Sequence, residues 1–297
     1  MQSWVLLVLA FAPGIFWLWL IYQRDKFRPE PKALVVRTFL WGMAVAIPVS
    51  VMEFALYPQA GDILQTDNLS LGTIAYISFI VTGLTEELGK FLVVRRTVYD
   101  SPYFDEPMDG IVYASASALG FASLENAGYI ITFGWQVILA RGPFSTLAHV
   151  LFSVMWGYPL GLSKLGRPGS KALLWLGLVG SMVTHGLFDF LLFTNSAYSF
   201  LVIPLFLGAG LLFLIILKQA RQISPYKEKV GELVVKCPNC GSDVPYYADF
   251  CTSCGAELGK ATVKDIIFCS RCGAPLDNNV SFCTSCGSRI NRKSGAR

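Results

Sequence analysis

The chain has 297 residues, 54% of them hydrophobic and only 15% charged, with a formal net charge of +4. Soluble domains run near a quarter charged, so this composition excludes a wholly soluble protein. The net charge says little by itself; the placement of the basic residues says more.

Taken in chain order, apolar runs predict spans at 3–22, 33–57, 71–94, 110–131, 145–162, 171–193 and 199–217. Each approaches the roughly 20 residues that a bilayer-crossing helix needs. The fold class expected is therefore an all-α polytopic membrane helix bundle of about seven helices, followed by a small soluble tail. The first run, WVLLVLAFAPGIFWLWLIY, lacks a basic n-region and a small-residue cleavage site. It is expected to remain as a span rather than be removed as a signal peptide.

The connections alternate in charge. QRDKFRPEPK carries four Lys/Arg and PQAGDILQTDNLS none; Arg95 and Arg96 begin the next, and Arg141 stands alone in the one after it. SKLGRPGSK then carries three, TNSAYS none, and Lys218, Arg221, Lys227 and Lys229 follow the last span. Under the positive-inside rule the N-terminus is extracytoplasmic and the tail cytoplasmic. The fourth span, GIVYASASALGFASLENAGY, is rich in small residues, as is the Gly157/Gly161 pair. Both read as faces for close helix packing.

Several spans carry polar groups. The third contains Thr85–Phe91, TEELGKF. Left unpaired in lipid, Glu86, Glu87 and Lys90 would cost on the order of 8–10 kcal/mol. Residues four apart lie about 40° apart around a helix, so Lys90 faces Glu86 and also reaches Glu87. One carboxylate is thereby neutralised and the other is left over, whereas a purely structural ion pair needs only one. The same spacing puts Phe121 with Glu125, which Asn126 follows, and His185 with Asp189. The chain has two histidines, His149 and His185, and both fall in spans. At 1.5 Å per residue His185 and Glu125 stand about 21 Å above the cytoplasmic ends of their helices, His149 about 6 Å below its outer end, and Glu86 about 13–14 Å above Arg95. A tilt or break near Gly83 would close the difference. The plainer readings are an ion pair for Glu86/Glu87/Lys90, interfacial solvation for Glu125 with Asn126, and a buried hydrogen-bonded pair for His185 with Asp189. A lone interfacial histidine needs no special role, Glu53 reads as interfacial, and Arg37 reads as snorkelling.

Converging carboxylates, imidazoles and a cation suit hydrolysis, with water activated by a carboxylate or a metal, or proton and ion transport. Nucleophilic catalysis is disfavoured: no cysteine lies in the spans and no GxSxG occurs. Glu86-Glu87-Leu88-Gly89-Lys90 matches the EExxK motif of the PrsW-type intramembrane proteases. Phe121 to Asn126 matches their FxxxEN, and His185 to Asp189 their HxxxD. Tyr22-Gln-Arg-Asp25, Pro29-Glu30-Pro31 and Asp105-Glu-Pro-Met-Asp109-Gly110 also resemble that family's cytoplasmic loops, so the resemblance covers nearly all of 1–217.

It implies a polytopic protease cutting membrane-anchored proteins, such as anti-sigma factors, on the extracytoplasmic side. The family is similar in turn to the CAAX prenyl endopeptidases, with EExxxR, FxxxH and HxxxN. By that analogy Glu86 activates water, Lys90 holds Glu87, and His185 with residue 189 faces the oxyanion. Two departures matter. Asp189 replaces an amide and Glu125 an imidazole, so donors are exchanged for anionic oxygen. Glu125, His185 and Asp189 then make an acceptable zinc shell with an open position for water.

All eight cysteines lie in the tail: Cys237, Cys240, Cys251 and Cys254, then Cys269, Cys272, Cys283 and Cys286. Each set has CxxC-x10-CxxC spacing, repeated with a period of 32 residues. Such spacing argues for structural zinc in a reducing compartment rather than for disulfides. Each unit resembles a short zinc ribbon with Phe250 or Phe282 as a minimal core, and a domain of that size normally needs its metal to fold. From Glu232 onward eight Lys/Arg face six Asp/Glu, and each zinc with four thiolates adds about −2. That near-neutral or acidic tail is a poor footprint for nucleic acid and suits docking of a cytoplasmic protein. The linker KQARQISPYKEKVGELVV suits the inner membrane surface.

The expected domains are 1–220 in the membrane, a linker at 221–236, and ribbons at 237–258 and 269–290. The function expected is a membrane-embedded protease. The competing class is a non-enzymatic ion-coupled transporter, or a scaffold using the ribbons. A transporter would tend to show repeated helices, and here only the ribbons repeat.

Overall fold

A computed structural model describes residues 3–25, 27–58, 69–194, 196–226, 234–245, 251, 253–256, 266–268, 275–277 and 282. The chain divides into two compact units, Met1–Gln222 and Ile223–Arg297.

The first unit is a helix bundle, as composition demands. Its elements are α1 (Ser3–Tyr22), α2 (Lys32–Leu56), α3 (Leu71–Tyr76), a π-helical segment (Ile77–Leu84), α4 (Thr85–Thr97) and α5 (Pro107–Phe133). A 3-10 turn (Trp135–Val137), α6 (Ile138–Ala140) and a second π-helical turn (Arg141–Ser145) lead into α7 (Thr146–Lys164). Then come α8 (Ser170–Phe193), a 3-10 turn (Ala197–Leu201) and α9 (Val202–Gln222). The run from α3 through α4 is one continuous helical passage, which gives the seven expected passages.

Among the described residues, five helices are long and apolar enough to cross a membrane on those criteria alone. The passage from α3 to α4 and helix α5 fall outside that group, and the reason is their position. Helix α5 packs against α1, α2, α4 and α7, and nearly all of its first two-thirds is buried. The small residues that weaken its hydropathy let its neighbours approach at backbone distance. A Cβ on Gly110 would lie 2.1 Å from the Gly157 carbonyl oxygen on α7, and one on Gly120 2.0 Å from the Phe39 carbonyl oxygen on α2. Large apolar side chains such as Trp4, Trp19, Val51, Trp175, Leu176 and Leu207 are exposed on the outer helices, as a lipid-facing surface requires.

The second unit contains two antiparallel strand pairs, β1 (Val234–Lys236) with β2 (Asp243–Pro245) and β3 (Ile266–Phe268) with β4 (Pro275–Asp277). After each described CxxC the chain turns through a left-handed glycine, Gly241 (φ 71°) or Gly255 (φ 70°), whose N–H bonds back to the carbonyl of Cys237 or Cys251 at 2.8 Å. Only glycine takes that backbone cheaply. Cys237 and Cys251 are buried with Val244. Phe282, expected in the ribbon core, is instead 57% exposed. In the described ribbon Cys237, Cys251 and Val244 fill the centre of so small a fold. Phe250 lies outside the described residues.

Candidate active site

The π-helical segment ends where TEELGKF begins. A π turn widens the helix and changes the direction in which following side chains leave it, and such turns occur frequently at functional sites. Here it lets α8 press close. A Cβ on Gly83 would meet the Met182 carbonyl oxygen at 2.6 Å, and one on Gly186 would meet the Phe79 ring at 2.5 Å. This is the break near Gly83 that the depth argument requires, and it brings the first turn of α4 against His185.

Glu87 is completely buried, and four donors surround it. Its Oε1 accepts from Lys90 Nζ at 2.9 Å and faces His185 Nδ1 at 3.1 Å. Its Oε2 accepts from Ser153 Oγ at 2.8 Å and Trp156 Nε1 at 3.1 Å. A carboxylate has about four acceptor directions, and all are filled. The His185 Nδ1–H donated to Glu87 leaves Nε2 facing Glu86 Oε2 at 3.8 Å and Asp189 Oδ2 at 3.6 Å.

Glu86 behaves differently. Its Oε2 accepts from Lys90 Nζ at 2.9 Å, and its carboxylate lines a cavity of about 290 Å³. Lys90 Nζ also bonds His149 Nδ1 at 2.9 Å, and His149 Nε2 lies 3.0 Å from Glu125 Oε2. Thr82 Oγ1, in the π segment, donates to Asp189 Oδ2 at 3.0 Å. Glu125, His149, His185 and Asp189 join Glu86 on the cavity wall, with Phe152, Phe188, Leu192 and Phe193 as its apolar part.

Seven of the eight residues singled out from sequence thus meet directly. Asn126, the eighth, stands behind them: it accepts from Arg141 Nε at 2.9 Å and donates to Thr146 Oγ1 at 3.0 Å. One ligand atom from each of Glu86, His149 and His185 lies within 4.8 Å of the others. Of the trio expected to hold a catalytic metal, His185 belongs to that set, while Glu125 and Asp189 flank it.

Sequence reading missed several participants, Ser153 and Thr82 among them. Arg141 counted only as a loop charge, yet its guanidinium lies 2.9 Å from Glu125 Oε1, covers the Tyr129 ring at 3.7 Å and lines the cavity. Its signal was its isolation as the one basic residue of an otherwise uncharged connection. Glu53 read as interfacial, but its Oε1 accepts from Thr85 Oγ1 at 3.3 Å, beside Glu86. Trp156 gave no signal, being one aromatic in an apolar helix.

In the tail, Cys237 and Cys254 Sγ are 3.7 Å apart and Cys240 and Cys251 Sγ 3.6 Å. A tetrahedron with Zn–S bonds of about 2.3 Å has edges of about 3.8 Å, so these four thiolates fit structural zinc. Cys269, Cys272, Cys283 and Cys286 lie outside the described residues.

Acids, imidazoles and an ammonium around a cavity inside a helix bundle make the constellation of a membrane-embedded hydrolase. Comparison with known proteins agrees. A family model described as "PrsW family intramembrane metalloprotease" matches residues 30–217, and one for a double zinc ribbon matches 236–287. The chain is 32% identical over 189 residues to "Protease PrsW" of Geobacillus kaustophilus, covering 64% of this chain and 80% of that one. It is 31% identical over 211 residues to "Protease PrsW" of Oceanobacillus iheyensis (71% and 94%), and 31% identical over 194 to that of Bacillus subtilis (65% and 85%). No solved structure matches. The chain belongs to the PrsW family and is an intramembrane endopeptidase, a multi-pass membrane protein carrying zinc ribbons. That membership decides between the two classes the sequence left open.

Proposed function

We propose that the enzyme hydrolyses a peptide bond of a membrane-anchored protein near the extracytoplasmic side, with Glu86 as the group that activates water. The observation that carries this reading is the division of labour between adjacent acids. Glu87 has every acceptor direction filled and is not among the residues lining the cavity, so it positions Lys90 and His185. Glu86 faces the cavity. In the step proposed, Glu86 takes a proton from water as the water oxygen bonds to the scissile carbonyl carbon. Arg141, on the same wall, meets the oxyanion, the role that ionised Asp189 cannot fill. The C–N bond then breaks, and the proton passes from Glu86 to the leaving amine. The apolar wall of Phe152, Phe188, Leu192 and Phe193 suits a substrate segment that enters from lipid.

The family description implies a metal, and the donor set here fits one. Two imidazoles and a carboxylate, all buried, are a common zinc ligand set, and Glu87 orients His185 as a supporting carboxylate does in such sites. Glu86, His149 and His185 would hold the ion, which would supply Lewis acidity toward water and carbonyl. A carboxylate-only reading is favoured by one contact set: Lys90 Nζ occupies both Glu86 Oε2 and His149 Nδ1 at 2.9 Å. Zinc per full-length chain separates the two. A fall of one ion on His185→Ala supports the metal reading, and an unchanged count supports the carboxylate alone.

Charge alternation in the connections supports an extracytoplasmic N-terminus and a cytoplasmic tail, where the ribbons would dock a protein partner. The test is cleavage of a single-pass substrate by purified wild type, Glu86→Gln, Glu125→Gln and His185→Ala. Unchanged cleavage by all three variants would remove the assignment.

A further inference from the structure

Arg141 reaches the cavity from the short irregular stretch between α5 and α7, and that stretch is held from several sides. Trp17 Nε1, on α1, donates to the Gly142 carbonyl at 3.2 Å, and a Cβ on Gly142 would lie 3.2 Å from the Pro13 ring. Helix α1 therefore fixes the backbone beside Arg141. The guanidinium is fixed separately. Its Nε donates to Asn126 Oδ1 at 2.9 Å, and its Nη2 lies 2.9 Å from Glu125 Oε1. Asn126 has its own amide orientation set by donation to Thr146 Oγ1 at 3.0 Å and to the Ala10 carbonyl at 3.5 Å.

Nε and Nη2 lie on one edge of a planar group, so these contacts leave the opposite edge free to swing about them. Tyr129 removes that freedom. It stands four residues after Glu125 on α5, hence on the same face of the helix. The guanidinium carbon lies 3.7 Å from the centroid of its ring. Phe133, four residues further on, backs that ring with centroids 5.6 Å apart. Tyr129 also lines the cavity, at the same end as Arg141. The negative face of an aromatic ring attracts a guanidinium, most strongly where water is excluded.

We propose that Tyr129 is a positioning residue for the hydrolysis: its ring face holds the plane of Arg141, keeping for the oxyanion the edge that Asn126 and Glu125 do not occupy. This rests on the assignment of Arg141 to the oxyanion. A donor already in place stabilises the transition state without reorganising, and a donor that swings loses part of that advantage. The ring acts through Arg141, so its loss falls on kcat rather than on KM.

The experiment is steady-state cleavage of a single-pass substrate by the full-length protein in nanodiscs. Tyr129→Leu should lower kcat on the order of tenfold with KM within about twofold of wild type. Tyr129→Phe, which keeps the ring, should restore most of that rate. The Arg141→Gln/Tyr129→Leu double variant should be no slower than Arg141→Gln, since the two residues act as one unit. Fluorinated phenylalanines at position 129 keep the shape of the ring, which covers the case of a poorly folded leucine variant. Each added fluorine weakens the negative face, so kcat should fall stepwise while KM and melting temperature hold. Wild-type kcat in Tyr129→Leu, a Tyr129→Phe rate as low as that of Tyr129→Leu, additive losses in the double variant, or a kcat indifferent to fluorination overturns the proposal. With Arg141→Gln slow, any of these leaves the oxyanion assignment standing. Wild-type cleavage by Arg141→Gln removes that assignment and the role of Tyr129 with it.

Discussion

Two groups of buried acids stand in one helix bundle, and they are neutralised by different means. Around Glu86 the partners are side chains that carry or exchange protons: Lys90, His149, His185 and Arg141. Around Asp109, where the α1–α2 connection meets the start of α5, they include backbone N–H groups, the Tyr113 hydroxyl on Glu30 and an arginine pair on Asp105. The first group opens on a cavity of about 290 Å³, whereas in the second one oxygen each of Asp25, Glu106 and Asp109 lies within 4.8 Å of the other two. Fixed dipoles suit a structural fastening, while titratable partners beside a cavity suit chemistry. The acids alone do not separate the two roles; their partners do.

This contrast can be broken by mutation, most sharply at Lys90. Lys90→Met leaves Glu86 and Glu87 buried without their shared ammonium, at a cost of about 3–5 kcal/mol. It should appear as a large fall in melting temperature, against little change for Asp109→Asn, where asparagine keeps one acceptor for the capping N–H groups. Equal losses would erase the distinction. Arg141→Gln removes the proposed oxyanion donor and should slow cleavage about 10²–10³-fold with the fold retained. Substrate cleavage set beside a thermal melt measures both. Gly83→Ala places a methyl against the Met182 carbonyl and should cost about 1–3 kcal/mol while shifting Glu86, so cleavage falls more than stability. The smallest effect on the membrane unit belongs to Cys237→Ser, which should lower zinc by one ion per chain and leave helix content unchanged by circular dichroism.

Local geometry was legible in the sequence, and long-range partnership was not. The Glu86/Lys90 and His185/Asp189 pairs follow from four-residue spacing, and both pairs are together in the structure. The seven helical passages follow from apolar run length. The small residues of α5 read correctly as packing faces, although their centrality in the bundle needed the structure. Ser153 and Trp156, which saturate Glu87, are ordinary residues of a buried helix and become partners only when α7 meets α4. Arg141 was misplaced because a π turn carries it from a connection back to the cavity. The loop motifs that hold Asp25, Glu30 and Asp109 were visible, but their meeting was not, since two connections far apart in sequence assemble the group.

The central claim is that Glu86, and not its neighbour, handles the proton of the attacking water. Its most direct test is single-turnover cleavage of a single-pass substrate by Glu86→Gln protein whose melting temperature matches wild type. The account predicts a loss of at least about 10³-fold. Cleavage within tenfold of wild type by that folded variant would contradict it.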